Sequence, residues 1–170
     1  GNPGFGSTVY ELGDGRRLGV INLQGRTFSQ VALDCPFRAV GRTIEELMPE
    51  TTALVVDFHA EASSEKIALA QYVDGRVSAV VGTHTHVQTA DERVLPGGTA
   101  FITDVGMTGP EDSAIGMKSD TVIRRFLLQS RVRLEPGDRG PMLNAVVLDI
   151  DDSTGKAQSI SRIYERIPVL

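Results

Sequence analysis

The chain holds three histidines, and each follows an apolar run. Leu54-Val55-Val56-Asp57-Phe58-His59 ends in Asp-x-His, and Val77 to Val81 leads through Gly82 and Thr83 into His84-Thr85-His86. Neutral imidazole is the commonest nitrogen ligand of zinc-, iron- and manganese-type centres. In an extended chain, side chains two apart share a face, so His84 and His86 are expected side by side. One histidine past a strand is ordinarily a hydrogen-bonded loop residue; three placed alike point to a metal site. Asp57 either orients a ligand histidine through its second ring nitrogen or caps a loop. Asp104-Val105-Gly106-Met107-Thr108-Gly109 is a glycine-rich loop past another strand. Asp104, Gly106 and Thr108 are therefore candidates for lining a substrate mouth, a plain strand-to-helix turn being the alternative. Cys35 has no histidine near it in sequence and reads as a small buried filler.

The elements that must position these groups follow from periodicity and turn residues. Gly6 to Leu12 and Arg17 to Leu23 flank Gly13-Asp14-Gly15 and read as a hairpin. Gln24-Gly25-Arg26-Thr27-Phe28 is a loop that could sit near an anion or be a plain turn. A helix is expected near Val40 to Met48. Another starts at Ser63-Ser64-Glu65-Lys66 with a serine cap, draws its apolar surface from Ile67, Ala68 and Leu69, and ends at Gly75. Strand, helix and strand then form a βαβ-like unit around His59 and His84. Val94-Leu95 and Thr99 to Thr103 flank Pro96-Gly97-Gly98 as a second hairpin. Ser119 caps a helix to about Ser130, with Val122, Ile123, Phe126 and Leu127 on its core face. Arg131 to Leu134, Asn144 to Ile150 and Ser159 to Ile167 read as closing strands, the last two antiparallel.

Composition narrows the partners. The 170 residues suffice for a single domain, residues 1–170, and 41% hydrophobic content suffices for a core. A net charge of −5 argues against a duplex nucleic acid or anionic membrane surface as partner. No stretch is long and apolar enough to span a membrane. The single cysteine cannot form an internal disulfide, so a cytoplasmic setting is expected. The opening Gly1-Asn2-Pro3-Gly4 lacks an initiator methionine and suggests part of a longer chain.

The motif order excludes several chemistries. A metallo-β-lactamase-type His-x-His-x-Asp-His fails, because Gln88 stands at the aspartate position. An amidohydrolase barrel needs more chain, and no His-Glu-x-x-His is present. What remains resembles the calcineurin-like metallophosphoesterases, with one histidine after a middle strand and Gly-x-His-x-His after the next. At finer grain it resembles the YmdB-like family of 2′,3′-cyclic-nucleotide phosphodiesterases. The carrying residues are Asn22 to Phe28, Asp34-Cys35-Pro36-Phe37, Val56 to Ala62, the run Gly82-Thr83-His84-Thr85-His86-Val87-Gln88-Thr89-Ala90-Asp91-Glu92, and Thr103 to Gly109.

The resemblance implies an α/β fold, a four-layer α-β-β-α sandwich incomplete at its N-terminus. It implies two bridged metal ions, iron or manganese, with His59 and His84 on one and His86 on the other. The expected substrate is a small cyclic nucleotide or another phosphodiester. A non-catalytic regulatory or binding module of the same fold, and a metal-dependent hydrolase of another bond, are the alternatives. One departure matters. The family's first aspartate, its Glu-Asn pair and its Asn-His motif, which carries the proton donor, come from an N-terminal third that is absent here. No catalytic proton donor is therefore assigned. The fragment is expected to bind at most one metal weakly, to lack turnover, and to self-associate through open sheet edges.

Overall fold

The computed structural model describes residues 5–168, which form nine strands and three helices. A hairpin of β1 (Ser7–Glu11) and β2 (Arg17–Gln24) opens the chain. It is followed by α1 (Pro36–Leu47), β3 (Leu54–His59), α2 (Ser63–Tyr72) and β4 (Ala79–Thr83). Next come β5 (Arg93–Val94), β6 (Ala100–Ile102), β7 (Gly109–Pro110), α3 (Ser119–Leu128), β8 (Pro141–Ile150) and β9 (Ala157–Arg166).

Two sheets result, with strand orders β1-β2-β3-β4-β6-β5 and β7-β8-β9. In the first, β2, β3, β4 and β6 run parallel, and β1 and β5 close its edges antiparallel. Parallel pairing requires crossovers, which α1 and α2 supply between β2, β3 and β4. Period-two alternation then assigns the faces. Leu54, Val56 and Phe58 of β3 point to the helices, where they pack with Val40 and Ile44 of α1 and with Leu69, Ala70 and Val73. Val55, Asp57 and His59 point the other way. On that face Ala79 and Ala100 meet Ala157, with Val55, Leu148 and Ile160 at the margin. The small side chains let the second sheet approach closely. Helices, first sheet and second sheet thus form three layers, with both hairpins and the closing antiparallel pair where the sequence implied them.

Several expectations are corrected. Of the expected apolar surface of α2, Leu69 is buried and Ile67 packs against the core, but Ala68 is exposed, and Lys66 and Ala70 complete the inward face. The N-caps of α2 and α3 are Ala62 and Lys118, without side-chain hydrogen bonds, rather than serines. α1 begins at Pro36, whose fixed φ suits the first helical turn. The strand expected over Val77 to Val81 instead spans Ala79–Thr83 and runs on through Gly82. Arg131 to Leu134 is irregular, not a strand. The apolar stripe of α3 is not a core face: Ile123, Phe126 and Leu127 are 56%, 77% and 78% exposed. A helical apolar period records a face that can be buried, not a partner that buries it. Cys35 is half-buried at the N-terminus of α1 rather than a buried filler. A hydrogen bond from the backbone N–H of Arg38 holds its thiol below the usual value. Among the described residues no helix is long and apolar enough to cross a membrane.

Candidate metal centre

The carboxyl ends of β3 and β4 lie side by side, in register His59 opposite Thr83. In open parallel sheets this is the end at which ligands bind. His59 Nε2 and His84 Nδ1 are 3.2 Å apart, with ring centroids at 5.1 Å and planes crossed at 76°. Both rings are exposed.

Thr83 decides which nitrogen of His59 carries the proton. Its hydroxyl lies 3.1 Å from His59 Nδ1 and donates to Asp57 Oδ1 at 3.3 Å. A carboxylate only accepts, so the hydroxyl proton goes to Asp57 and the hydroxyl oxygen accepts from His59 Nδ1–H. That leaves a lone pair on Nε2, the atom facing His84. Asp57 is fixed in turn by Asn22 Nδ2, 2.7 Å from Oδ2, its neighbour across β2 and β3. Asp57 thus acts on His59 through Thr83 rather than by direct contact.

His86 is set differently. Its Nδ1–H donates to the carbonyl oxygen of Ile115 at 3.0 Å, which again leaves Nε2 with the lone pair. The sequence predicted His84 and His86 on one face of an extended segment. The chain bends there instead, with φ of 139° at His84 and 64° at His86. Both are conformations that residues with a Cβ rarely adopt, and such strain collects at functional sites. The structure pairs His84 with His59 and leans His86 on the loop before α3.

The wall behind the loop was not foreseen. Lys66 is fully buried, and its ammonium donates to Asp104 Oδ2 at 2.9 Å and to the carbonyl of Thr83 at 3.1 Å. Asp104 also accepts the N–H groups of Thr85 and Gly106, at 2.8 and 3.0 Å. Burial pushes its carboxyl up, but these hydrogen bonds and the Lys66 charge outweigh burial and hold it below the ordinary carboxylate range. Asp104 therefore backs the loop of His84 and His86 and does not line a mouth, since its side chain is 1% exposed. Gly106 takes φ +80°, where a Cβ would stand 2.8 Å from the nitrogen of Gln88. Thr108 is exposed and reaches the carbonyl of Asn144 at 3.4 Å. Gln88 ties the loop to the second sheet through the carbonyls of Ala145 (3.0 Å) and Ile163 (3.3 Å). The anion near Gly25 to Thr27 is the protein's own Glu65, which accepts the N–H groups of Arg26 and Thr27.

Lys66 could have been found from spacing. Lys66, Leu69, Ala70 and Val73 fall at i, i+3, i+4 and i+7, one helical face. A lysine on that stripe announces a buried partner. Thr83 carried no such signal, because its role depends on cross-strand register.

The donor set fits a metal ion in part. Two nitrogens each about 2.1 Å from one ion stand about 3.0–3.4 Å apart at angles of 90–109°, which brackets the His59–His84 separation. Among the described residues, no group of three or more His, Cys, Asp or Glu is gathered around one point. His59 and His84 can thus supply two ligands, and His86 a third nitrogen near by in the chain.

Comparison with known proteins gives a consistent family. The family model described as YmdB-like protein matches residues 1–163. A Bacillus subtilis (strain 168) protein named 2′,3′-cyclic-nucleotide 2′-phosphodiesterase is 55% identical over 163 residues, 96% of this chain and 61% of that protein. A crystal structure of a hypothetical protein from Thermus thermophilus superposes with a TM-score of 0.90 at 42% identity, covering 99% of this chain and 64% of that one. A crystal structure of a novel phosphatase from Mycoplasma pneumoniae gives 0.87 at 38% identity, covering 96% and 58%. The chain therefore spans less than two thirds of the length of each of these relatives.

Proposed function

The chain belongs to the YmdB-like protein family, and from that premise we propose that it supplies the histidine half of a dinuclear phosphodiesterase centre. The substrate class is a 2′,3′-cyclic nucleotide, after the name of the Bacillus subtilis relative. His59 and His84 are assigned to one metal ion and His86 to the other, with iron or manganese as the metals. The observation that carries this reading is the pair His59 Nε2 and His84 Nδ1, 3.2 Å apart at adjacent strand ends.

When bound, such ions supply positive charge to the transferring phosphoryl group and make water a better nucleophile. The chain's own residues would position the histidines. Thr83 and Asp57 hold His59 in the tautomer whose Nε2 can ligate. The carbonyl of Ile115 does the same for His86. Asp104 and Gly106 shape the loops around the histidines, and Thr108 stands at the exposed side. The remaining carboxylate and amide ligands and the proton donor are assigned to sequence that the relatives carry beyond the matched part. The same assignment completes the fold as a four-layer α-β-β-α sandwich, of which α1 and α2 with the two sheets are three layers. A cytoplasmic setting accompanies this reading.

The test is metal content and 2′,3′-cyclic AMP hydrolysis in the natural-length protein and its His59→Ala and His84→Ala variants. Both quantities should fall together by at least about tenfold. Wild-type metal content and turnover in either variant would refute the assignment.

A further inference from the structure

We infer that Lys66 and Asp104 are a positioning pair, built to hold the backbone of His84 in the conformation that brings its ring against His59. The inference deepens the metal reading, on which only its last readout rests.

His84 stands at φ 139°. A strained residue persists only where its surroundings over-determine it. The residues on both sides of His84 are tied to the same buried pair. Lys66 Nζ donates to the carbonyl of Thr83, just before it. Asp104 Oδ2 accepts the N–H of Thr85, just after it, at 2.8 Å. The two anchors meet in the Lys66–Asp104 bond of 2.9 Å, so the peptide units on either side of His84 are clamped from behind. Asp104 Oδ1 adds the N–H of Gly106, which brings the loop after β6 into the same clamp.

Core stability alone does not account for this arrangement. A buried ion pair is often matched or bettered by apolar side chains of similar volume. Here the side-chain hydrogen bonds that the pair makes outside itself go to backbone groups, those of Thr83 at the end of β4 and of Thr85 and Gly106 in the two loops. The first sheet also leaves room for it: a Cβ at Gly82 would lie 2.8 Å from Lys66 Cδ and 1.8 Å from the carbonyl oxygen of Thr103. The side-chain hydrogen bonds of both residues go to each other and to backbone, none to the imidazole, so both act through the peptide units that flank His84.

Three measurements on this chain test the inference. Amide hydrogen exchange on the wild type comes first. The Thr85 and Gly106 amides should exchange as slowly as those of β3 and β4, although Thr85 lies in an exposed loop. Exchange at the rate of a free loop would overturn the clamp, whatever any variant does. Second, long-range proton–nitrogen spectra of the metal-free protein should show His59 and His84 in single, fixed tautomers. Lys66→Met/Asp104→Leu removes both charges and both anchors at roughly conserved volume. It should lose the fixed His84 signature, whereas Lys66→Met/Asp104→Asn, which keeps an acceptor for Thr85, should recover part of it. A folded Met/Leu variant with the wild-type His84 signature would reduce the pair to core support and overturn the inference.

Third, Mn2+ titration should bind the Met/Leu variant roughly 10- to 100-fold more weakly than wild type. Equal binding overturns the positioning role and leaves the metal reading standing. No binding by the wild type overturns the metal reading, and the ring signatures still decide the clamp.

Discussion

The two halves of the candidate centre are held by different kinds of structure. His59 and His84 are braced by the core: Thr83 and Asp57 set one ring, and the buried Lys66–Asp104 pair sits behind the other. His86 leans on one carbonyl, that of Ile115, an exposed residue at φ 49° in the loop before α3. A site braced by strands and buried charge is preorganised. One that rests on a surface loop takes its final geometry from whatever else packs there. The contrast explains why two imidazoles already face each other while the third stands apart.

Breaking the bracing should have the largest effect. Lys66→Met alone leaves Asp104 charged, buried and unpaired, and should cost about 3–5 kcal/mol in a urea unfolding experiment. An unfolding free energy unchanged within error would mean that Asp104 is not held as a buried anion.

Acid attacks the same side of the molecule. Asp104 and Asp91 both sit below the ordinary carboxylate range. Burial raises Asp91, but hydrogen bonds from Thr103 and Thr89 and the charge of Arg93 outweigh it. A depressed carboxylate contributes its full stabilisation above its unfolded pKa, about 4, and loses it as pH falls through the folded value. Thermal midpoints should therefore drop from about pH 4 downward. Asp91→Asn should be less stable at neutral pH and fall less steeply in acid; parallel curves would exclude Asp91 as a contributor.

The contrast between halves sharpens at the histidines. In this chain His59→Ala or His84→Ala should weaken Mn2+ binding by about tenfold or more, and His86→Ala should weaken it less. Equal losses by calorimetry would mean that all three already share one ion. Thr83→Val, which frees the tautomer of His59 without removing a ring, should disturb stability least. It should lower Mn2+ affinity by roughly tenfold with little change in thermal midpoint.

Much of this design was legible in the chain. The strands that end at His59 and just before His84, the βαβ connection and both antiparallel hairpins follow from period-two runs and turn residues, because those are local signals. The histidines stood out because each follows such a run. What stayed hidden depends on pairing across the fold. Thr83 orients His59 only because register sets them opposite each other. Asp104 looked like a mouth residue because nothing local announces that Lys66, 38 positions earlier, neutralises it from a helix. The bends at His84 and His86 are tertiary impositions on residues whose types do not request them. α3 failed in the opposite sense: its apolar stripe is real, yet Phe126 and Leu127 face outward.

The proposed function assigns His59 and His84 to one metal ion. Crystals of this chain soaked in Mn2+ and measured for anomalous scattering test it directly. A peak is expected about 2.1 Å from both His59 Nε2 and His84 Nδ1. A peak elsewhere, or none while the two nitrogens keep their mutual contact of 3.2 Å, would contradict it.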